Sequence, residues 1–396
     1  MTLLISWCLG IITAFFAVPA AVFFFEILAA SSLSKRGGLL KADRSRGRVA
    51  VIIPAHNEGV GLRPTVEDVK SQLREGDRLV VVADNCTDAT AAAAASLGAE
   101  TIVRDDPTRI GKGYALDYGV NYLAADPPDT VIIIDADCRL EAGTINELAT
   151  VCATMRRPIQ SRYLMTAPIA SSINHQVAEF AWRVKNWVRP IGLNALHLPC
   201  QLMGSGMAFP WEIIRSAELA SGHIVEDLKL GLDLARTGHA PVFCPSATVT
   251  SCFASSTDGT NTQRQRWEHG HIGLILTAAP ALLMAALKRK DPRLFALALD
   301  LTVPPLSLLI LTLMALVIGS GLANLCGASS LPFTLSLTCL ALITAATILA
   351  WFKFGRDVLP LKSLALIPSY MAAKLPHYSA ALSGRRVPGW IRSDRN

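Results

Sequence analysis

An α/β domain with a mostly parallel sheet, held between membrane-seeking ends, is the architecture the sequence predicts. Three observations carry that expectation. Short Val- and Ile-rich runs alternate with helix-like stretches through the middle of the chain. Charged residues are absent from Met1 to Phe25 and again from Leu301 to Phe352. Acidic residues able to do chemistry stand where the apolar runs end, which is where an open α/β sheet receives its ligands.

The ends come first. Hydrophobic residues make up 51% of the 396, charged residues 17%, and the mean hydropathy is +0.38, too apolar for an ordinary soluble enzyme. About 20 apolar residues span a bilayer. The two uncharged stretches therefore predict three spans, Leu3–Ile27, Leu301–Ala323 and Phe333–Phe352, with the break of the second stretch at Asn324–Pro332. A cleaved signal peptide would open on basic residues and carry a shorter apolar core. MTLLISW has no Lys or Arg, so an uncleaved anchor is the expectation.

Positive charge sets orientation. Lys35, Arg36, Lys41, Arg44, Arg46 and Arg48 follow the first span, and Lys288, Arg289, Lys290 and Arg293 precede the second. Lys353 and Arg356 follow the third, Arg385, Arg386, Arg392 and Arg395 crowd the tail, and the loop near Gly327 is uncharged. This pattern predicts an outside N-terminus with the central domain and C-terminus cytoplasmic, in a cell or inner membrane. The net charge of +6 then needs no nucleic-acid partner, because basic residues beside spans meet anionic headgroups. Nine cysteines show no CxxC pair or zinc-like spacing, so neither a disulfide framework nor a thiolate metal site is expected.

In the central region VAVIIP (Val49–Pro54), RLVVVAD (Arg78–Asp84), ETIVRD (Glu100–Asp105) and TVIIID (Thr130–Asp135) alternate with helix-like segments. Continuous apolar strands alternating with helices predict a parallel sheet covered on both faces, joined by right-handed crossovers. The turn after the first strand reads Ala55-His56-Asn57-Glu58-Gly59 and lacks GxGxxG, which argues against NAD or FAD. After Asp137 the alternation loosens, through an aromatic and basic stretch (Phe180–Pro190), LPCQLMGSGMAF and a helix-like EDLKLGLDLARTG. Gly273–Leu287 is short and broken by Pro, and it predicts an interfacial segment, as does Leu359–Leu382. The predicted divisions are an anchor (1–30), a basic linker (31–47), the α/β domain (48–273), an interfacial segment (274–294), a transmembrane hairpin (295–353) and an interfacial basic tail (354–396).

Each motif has a chemical and a structural reading. Asp135 and Asp137 end a strand, where alternation would send both carboxylates to one side, as hard ligands for Mg2+ or Mn2+ beside a diphosphate. A chance acidic loop is the alternative. Asp84 could accept from a base or ribose, or serve as a turn or cap residue beside Thr87 and Asp88. Gly111-Lys112-Gly113 opens a helix and suits a phosphate, or leaves a solvated lysine. Glu226-Asp227 complements a helix dipole or supplies a general base. Gln263-Arg264-Gln265-Arg266-Trp267 offers a guanidinium for a diphosphate and a ring for a sugar, or an interfacial anchor.

Taken in order, AHNE, DNCTD, DAD, GSGMAF, ED and QRQRW resemble the membrane-bound family 2 glycosyltransferases of the GT-A fold, a group that includes cellulose, hyaluronan and poly-N-acetylglucosamine synthases and ceramide glucosyltransferase. The resemblance covers Val49 to Trp267. It implies that Ala55, Glu58 and Asp84 line the nucleobase and ribose and that Lys112 approaches the nucleotide. It implies that Asp135 and Asp137 form the DxD, with Asp137 the metal ligand, and that Asp227 is the base. Val225 stands where the family's TED triplet has Thr. Gln263, Arg266 and Trp267 match the diphosphate- and acceptor-end motif, and Gly204 and Ser205 fall where the acceptor sugar is met. The implied reaction is inverting transfer from a nucleotide sugar, with UDP favoured by the resemblance alone. Three spans offer little wall for a polymer channel. A single sugar passed to a lipid or lipid-linked saccharide, in glycolipid or exopolysaccharide and cell-envelope synthesis, is therefore expected. A processive synthase is the alternative, and a non-catalytic scaffold is disfavoured because every carboxylate is kept.

Overall fold

The computed structural model describes residues 2–33, 46–168, 172–254, 257–372 and 374. It falls into two compact units. Of the described residues, those within 46–168 and 199–262 form one, and those within 2–33, 172–198 and 263–374 the other. The basic residues Lys35, Arg36, Lys41 and Arg44 of the linker lie outside the described residues, as do His377 and the four arginines of the tail.

The first unit is an eight-stranded mixed sheet in the order β3-β2-β1-β4-β7-β6-β8-β5. Strands β1 (Val49–Ala55), β2 (Arg78–Asp84), β3 (Glu100–Arg104) and β4 (Thr130–Ile133) are parallel, and they are the four apolar runs. Beyond β4 the pairing turns mixed. Antiparallel β7 (Met207–Pro210) joins β4 to β6 (Ile159–Thr166), which runs parallel to β8 (Val242–Cys252), and short β5 (Arg139–Leu140) closes the edge antiparallel to β8. The loosened alternation after Asp137 is this change of pairing.

The central strands β1, β2 and β4 are covered on both faces and are apolar on both sides. Ile52, Val80, Val82, Val131 and Ile133 pack with Leu116, Val120 and Leu123 of helix Lys112–Leu123 on one face. Val51, Ile53, Val81 and Ile132 alternate to the other face and are also fully buried. Strand β4 ends at Ile133, two residues before Asp135. Strand alternation therefore does not place the acidic pair, and the expectation built on it is corrected below.

The second unit is helical. Thr2–Ser32, Leu306–Leu325 and Leu331–Phe354 are long and apolar enough to cross a membrane. The second predicted span starts late, because Leu301 ends helix Pro292–Leu301 and Pro304-Pro305 interrupt the chain before Leu306. Helix Pro292–Leu301 is capped by Asp291, whose carboxylate accepts from the Arg293 and Leu294 amides. Helices Gln263–Thr277 and Ala279–Arg289 meet at a bend of 43°, with Pro280 in the first turn of the latter. The apolar core joins Phe23, Ile27 and Ala30 to Leu309, Leu313, Ile343 and Ala346, and takes in Phe180, Val184 and Val188.

Candidate active site

The parallel strands run outward from β1 through β2 to β3, and the chain then returns to place β4 on the other side of β1. This reversal makes a crevice at the strands' carboxyl ends, the usual ligand position of an open sheet. Ala55, Asp84 and the Asp135 turn all lie at those ends.

The Ala55 and Asp84 loops are tied into one frame. Asn57 and Asn85 both take left-handed backbone, and the side chain of each bridges to a neighbouring loop. Asn57 Oδ1 accepts from the Thr87 amide at 2.7 Å, and Asn85 Oδ1 accepts from the Asp106 amide at 2.8 Å. His56 Nδ1 lies 2.7 Å from the Asp84 carbonyl. Ala55 is buried, and half-buried Glu58 leads into Gly59, whose amide donates to Thr90 Oγ1.

Asp84 is not an open carboxylate. It is buried, and its Oδ1 accepts from Arg104 Nη1 at 2.5 Å and from Asn85 Nδ2 at 3.2 Å. Arg104 is its register partner on β3 and also donates to the Arg109 carbonyl at 2.9 Å. The sequence reading missed this pairing, because a cross-strand ion pair leaves no short-range signal.

The acidic pair is built by a turn. The Cys138 amide donates to the Asp135 carbonyl at 3.1 Å, and Thr65 Oγ1 lies 2.7 Å from both the Ala136 and Cys138 carbonyls. Asp135, Asp137 and Cys138 each place a ligand atom within 4.8 Å of the others. Cys138 went unrecognised in the sequence. Burial first, and the Asp135 charge next, push its thiol up to about 12, which disfavours the thiolate. What remains is a pair of hard carboxylate oxygens, a donor set suited to Mg2+ or Mn2+ rather than to a thiophilic metal. Ser251 Oγ donates to Asp137 Oδ2 at 2.7 Å.

Lys112, the first residue of helix Lys112–Leu123, turns its ammonium onto Asp135 in an ion pair and donates to the Gly204 carbonyl at 2.5 Å. Burial opposes that charge, but Asp135, Glu226 and Asp227 outweigh it and hold the ammonium above the ordinary lysine range. Gly204 has φ +97, and a Cβ there would lie 3.4 Å from Asp227 Oδ2 and 4.0 Å from Asp135 Oδ2. The base candidate and the acidic turn thus border one small space above Gly204. Ser205 does not face that space. It is wholly buried, and its Oγ accepts from the Asp135 amide at 3.0 Å. The Ser205 side chain supports the acidic turn. Gly206 is required sterically, since a Cβ would fall 1.8 Å from Ser161 Oγ.

Glu226 and Asp227 open helix Glu226–Arg236, where carboxylates complement the dipole. Glu226 keeps some solvent contact but is enclosed on most sides. Burial, then the Asp227 charge, push its carboxyl up to about 8.

Gln263, Arg266 and Trp267 belong to the helical unit. Gln263 is buried, Arg266 is half-buried, and the Trp267 ring lies 4.8 Å from that of Trp182. Trp182 comes from the aromatic and basic stretch that the sequence marked without a partner. Arg264, between Gln263 and Arg266 in sequence, is buried and donates to Tyr370 Oη at 2.6 Å, and Glu268, next after Trp267, pairs with Lys374 at 3.4 Å.

A family model described as glycosyltransferase like family 2 matches residues 46–270, more than half of the chain. The chain belongs to the family 2 glycosyltransferases. Its mixed sheet is the GT-A fold expected from the motifs. The chain is 36% identical over 118 residues to uncharacterized glycosyltransferases of Mycobacterium tuberculosis and Mycobacterium bovis, a match covering 28% of this chain and 50% of each relative. It spans about half the length of these curated relatives. Among solved structures, it is similar to a mannosyltransferase of Pyrobaculum calidifontis in complex with GDP-Man and Mn2+, with 17% identity, coverage of 93% and 95% of the two chains and a TM-score of 0.49. It is also similar to the glucosyl-3-phosphoglycerate synthase of Mycobacterium tuberculosis with Mn2+ and UDP-glucose, with 23% identity, coverage of 56% and 77% and a TM-score of 0.40.

Proposed function

We propose that this family 2 member is an inverting glycosyltransferase that moves one sugar from a nucleotide sugar, UDP-linked by family resemblance, to a lipid or lipid-linked saccharide in the membrane. The observation that carries the reading is the shared space above Gly204, bordered by Asp227 on one side and Asp135 on the other. A single displacement needs a base on the acceptor side and a charge-neutralising site on the leaving-group side, with no covalent enzyme intermediate.

In this reading Asp227 takes the proton of the acceptor hydroxyl, which attacks the anomeric carbon opposite the diphosphate. Asp135 and Asp137 would hold the divalent cation, with Asp137 the principal ligand. Such an ion, when bound, neutralises charge developing on the diphosphate. Ala55, Glu58 and Asp84 frame the base and ribose, with Asp84 fixed by Arg104. By the family resemblance, Gln263, Arg266 and Trp267 are the residues of the diphosphate and acceptor ends. Three apolar helices support an acceptor drawn from the bilayer, with the catalytic domain on the cytoplasmic side.

The deciding experiment is Asp227→Asn. Transfer to native-membrane acceptors should fall at least about a hundredfold, the scale of one general base, while nucleotide-sugar binding persists. Full transfer by this variant would overturn the assignment.

A further inference from the structure

We propose that Lys112 is an internal counter-cation that occupies Asp135 until a nucleotide diphosphate arrives, so that divalent metal and nucleotide enter this site together and neither binds well alone. The inference rests on the donor-site reading above.

Lys112 is committed twice, to the Asp135 carboxylate and to the Gly204 carbonyl. Asp135 cannot readily leave that contact. Its amide is anchored on Ser205 Oγ, which is fully buried, and the Cys138 amide closes the turn onto its carbonyl. The two partners' side chains are only 18% and 26% exposed, so water screens the pair poorly. Any cation shared by Asp135 and Asp137 would therefore lie against the lysine ammonium. Like charges at contact distance in a partly buried site oppose one another strongly.

A diphosphate removes the conflict. Lys112 opens a 12-residue helix, whose end favours phosphate oxygens. There the ammonium can exchange a carboxylate for the diphosphate, leaving Asp135 to the metal. No bond is made or broken in this exchange. Linkage then requires that nucleotide tighten metal binding and that metal tighten nucleotide binding by the same factor.

The test is an electron paramagnetic resonance titration of the full-length protein in detergent with Mn2+, without nucleotide and with saturating UDP or GDP. The wild type should bind Mn2+ at least tenfold more tightly with the matching nucleotide. Lys112→Met, which keeps the aliphatic stem, should bind Mn2+ without nucleotide at least tenfold more tightly than wild type, and the coupling factor should shrink by a similar amount. Lys112→Gln provides the same comparison should the methionine variant fold poorly. Equal Mn2+ affinity of the wild type with and without nucleotide overturns the proposal without any variant. So does an unchanged or weaker nucleotide-free affinity in the Lys112 variants, provided Asp137→Asn removes the signal. In that case the donor-site reading stands. Absence of any Asp137-dependent Mn2+ signal with either nucleotide overturns both.

Discussion

Glu226 and Asp227 are adjacent, yet they suit different tasks. Burial and the neighbouring Asp227 charge push the Glu226 carboxyl from an ordinary 4.5 up to about 8. Between those values the folded protein keeps a proton that the unfolded chain has released. The contribution of Glu226 to stability is therefore fully present below the lower value and is lost as pH rises through the window. The melting temperature in detergent should drop by several degrees from about pH 5 to about pH 8, and Glu226→Gln should flatten that slope. An identical slope in the variant would remove Glu226 as its source. The sequence places this pair correctly at a helix start, because acidic residues before an apolar-periodic run are a local signal. It also brings Asp135 and Asp137 together, although for the wrong reason: a turn held by Thr65 and Ser205 does the work assigned to strand alternation. Arg104 on Asp84, Cys138 beside the acidic pair and the burial of Ser205 were not legible. Arg104 and Ser205 meet their partners across 20 and 70 residues, in a register only the fold sets, and Cys138, next to Asp137 in sequence, is brought against the pair by the turn.

Among the elements, the apolar strands were read nearly to the residue, since a parallel sheet buried on both faces leaves uninterrupted Val and Ile runs. The helix junctions were not. Glu26 in the first helix, Arg189 in helix Arg189–Ala195 and Asp300 in helix Pro292–Leu301 are all buried, and Arg189 reaches both carboxylates at 2.5 Å. Three distant segments of sequence thus meet at one guanidinium. Gly192 permits the approach, because a Cβ there would fall 2.0 Å from the Glu26 carbonyl oxygen. Removing the cation would leave two carboxylates buried without their partner. Arg189→Met should cost about 3–5 kcal/mol of stability, the scale for breaking a buried pair by deleting one member. Glu26→Gln and Asp300→Asn should cost less, since each leaves one ion pair intact. Detergent-solubilised unfolding curves check the order, and an Arg189→Met protein as stable as wild type would deny the cluster its role in joining the helices.

At the scale of the whole molecule, two contacts fix how the apolar helices run. The Ser329 amide, in the turn between the last two long helices, donates to Ser6 Oγ near the start of the first at 2.9 Å. Lys353, at the far end of the last helix, donates to the Ser31 carbonyl at 2.6 Å. The first and last helices are therefore parallel, with the chain's amino end and the 326–330 turn at one end of the bundle. If each long helix crosses once, we propose that the bent pair Gln263–Thr277 and Ala279–Arg289 is not a full crossing. A fourth crossing there would carry the 326–330 turn to the end opposite Ser6. On that proposal the pair returns to the side it left, as an interfacial segment would. Lys353 and Arg356 follow the last helix, and the proposed orientation, which follows the positive-inside rule, puts that end in the cytoplasm. The exposed thiols of Cys326, in the turn, and Cys252, at the end of β8, provide the test. In variants retaining one or the other, a membrane-impermeant maleimide should label Cys326 in intact cells and Cys252 only after permeabilisation. The reverse pattern would place the α/β domain outside, away from any cytoplasmic supply of nucleotide sugar, and would overturn the proposed orientation.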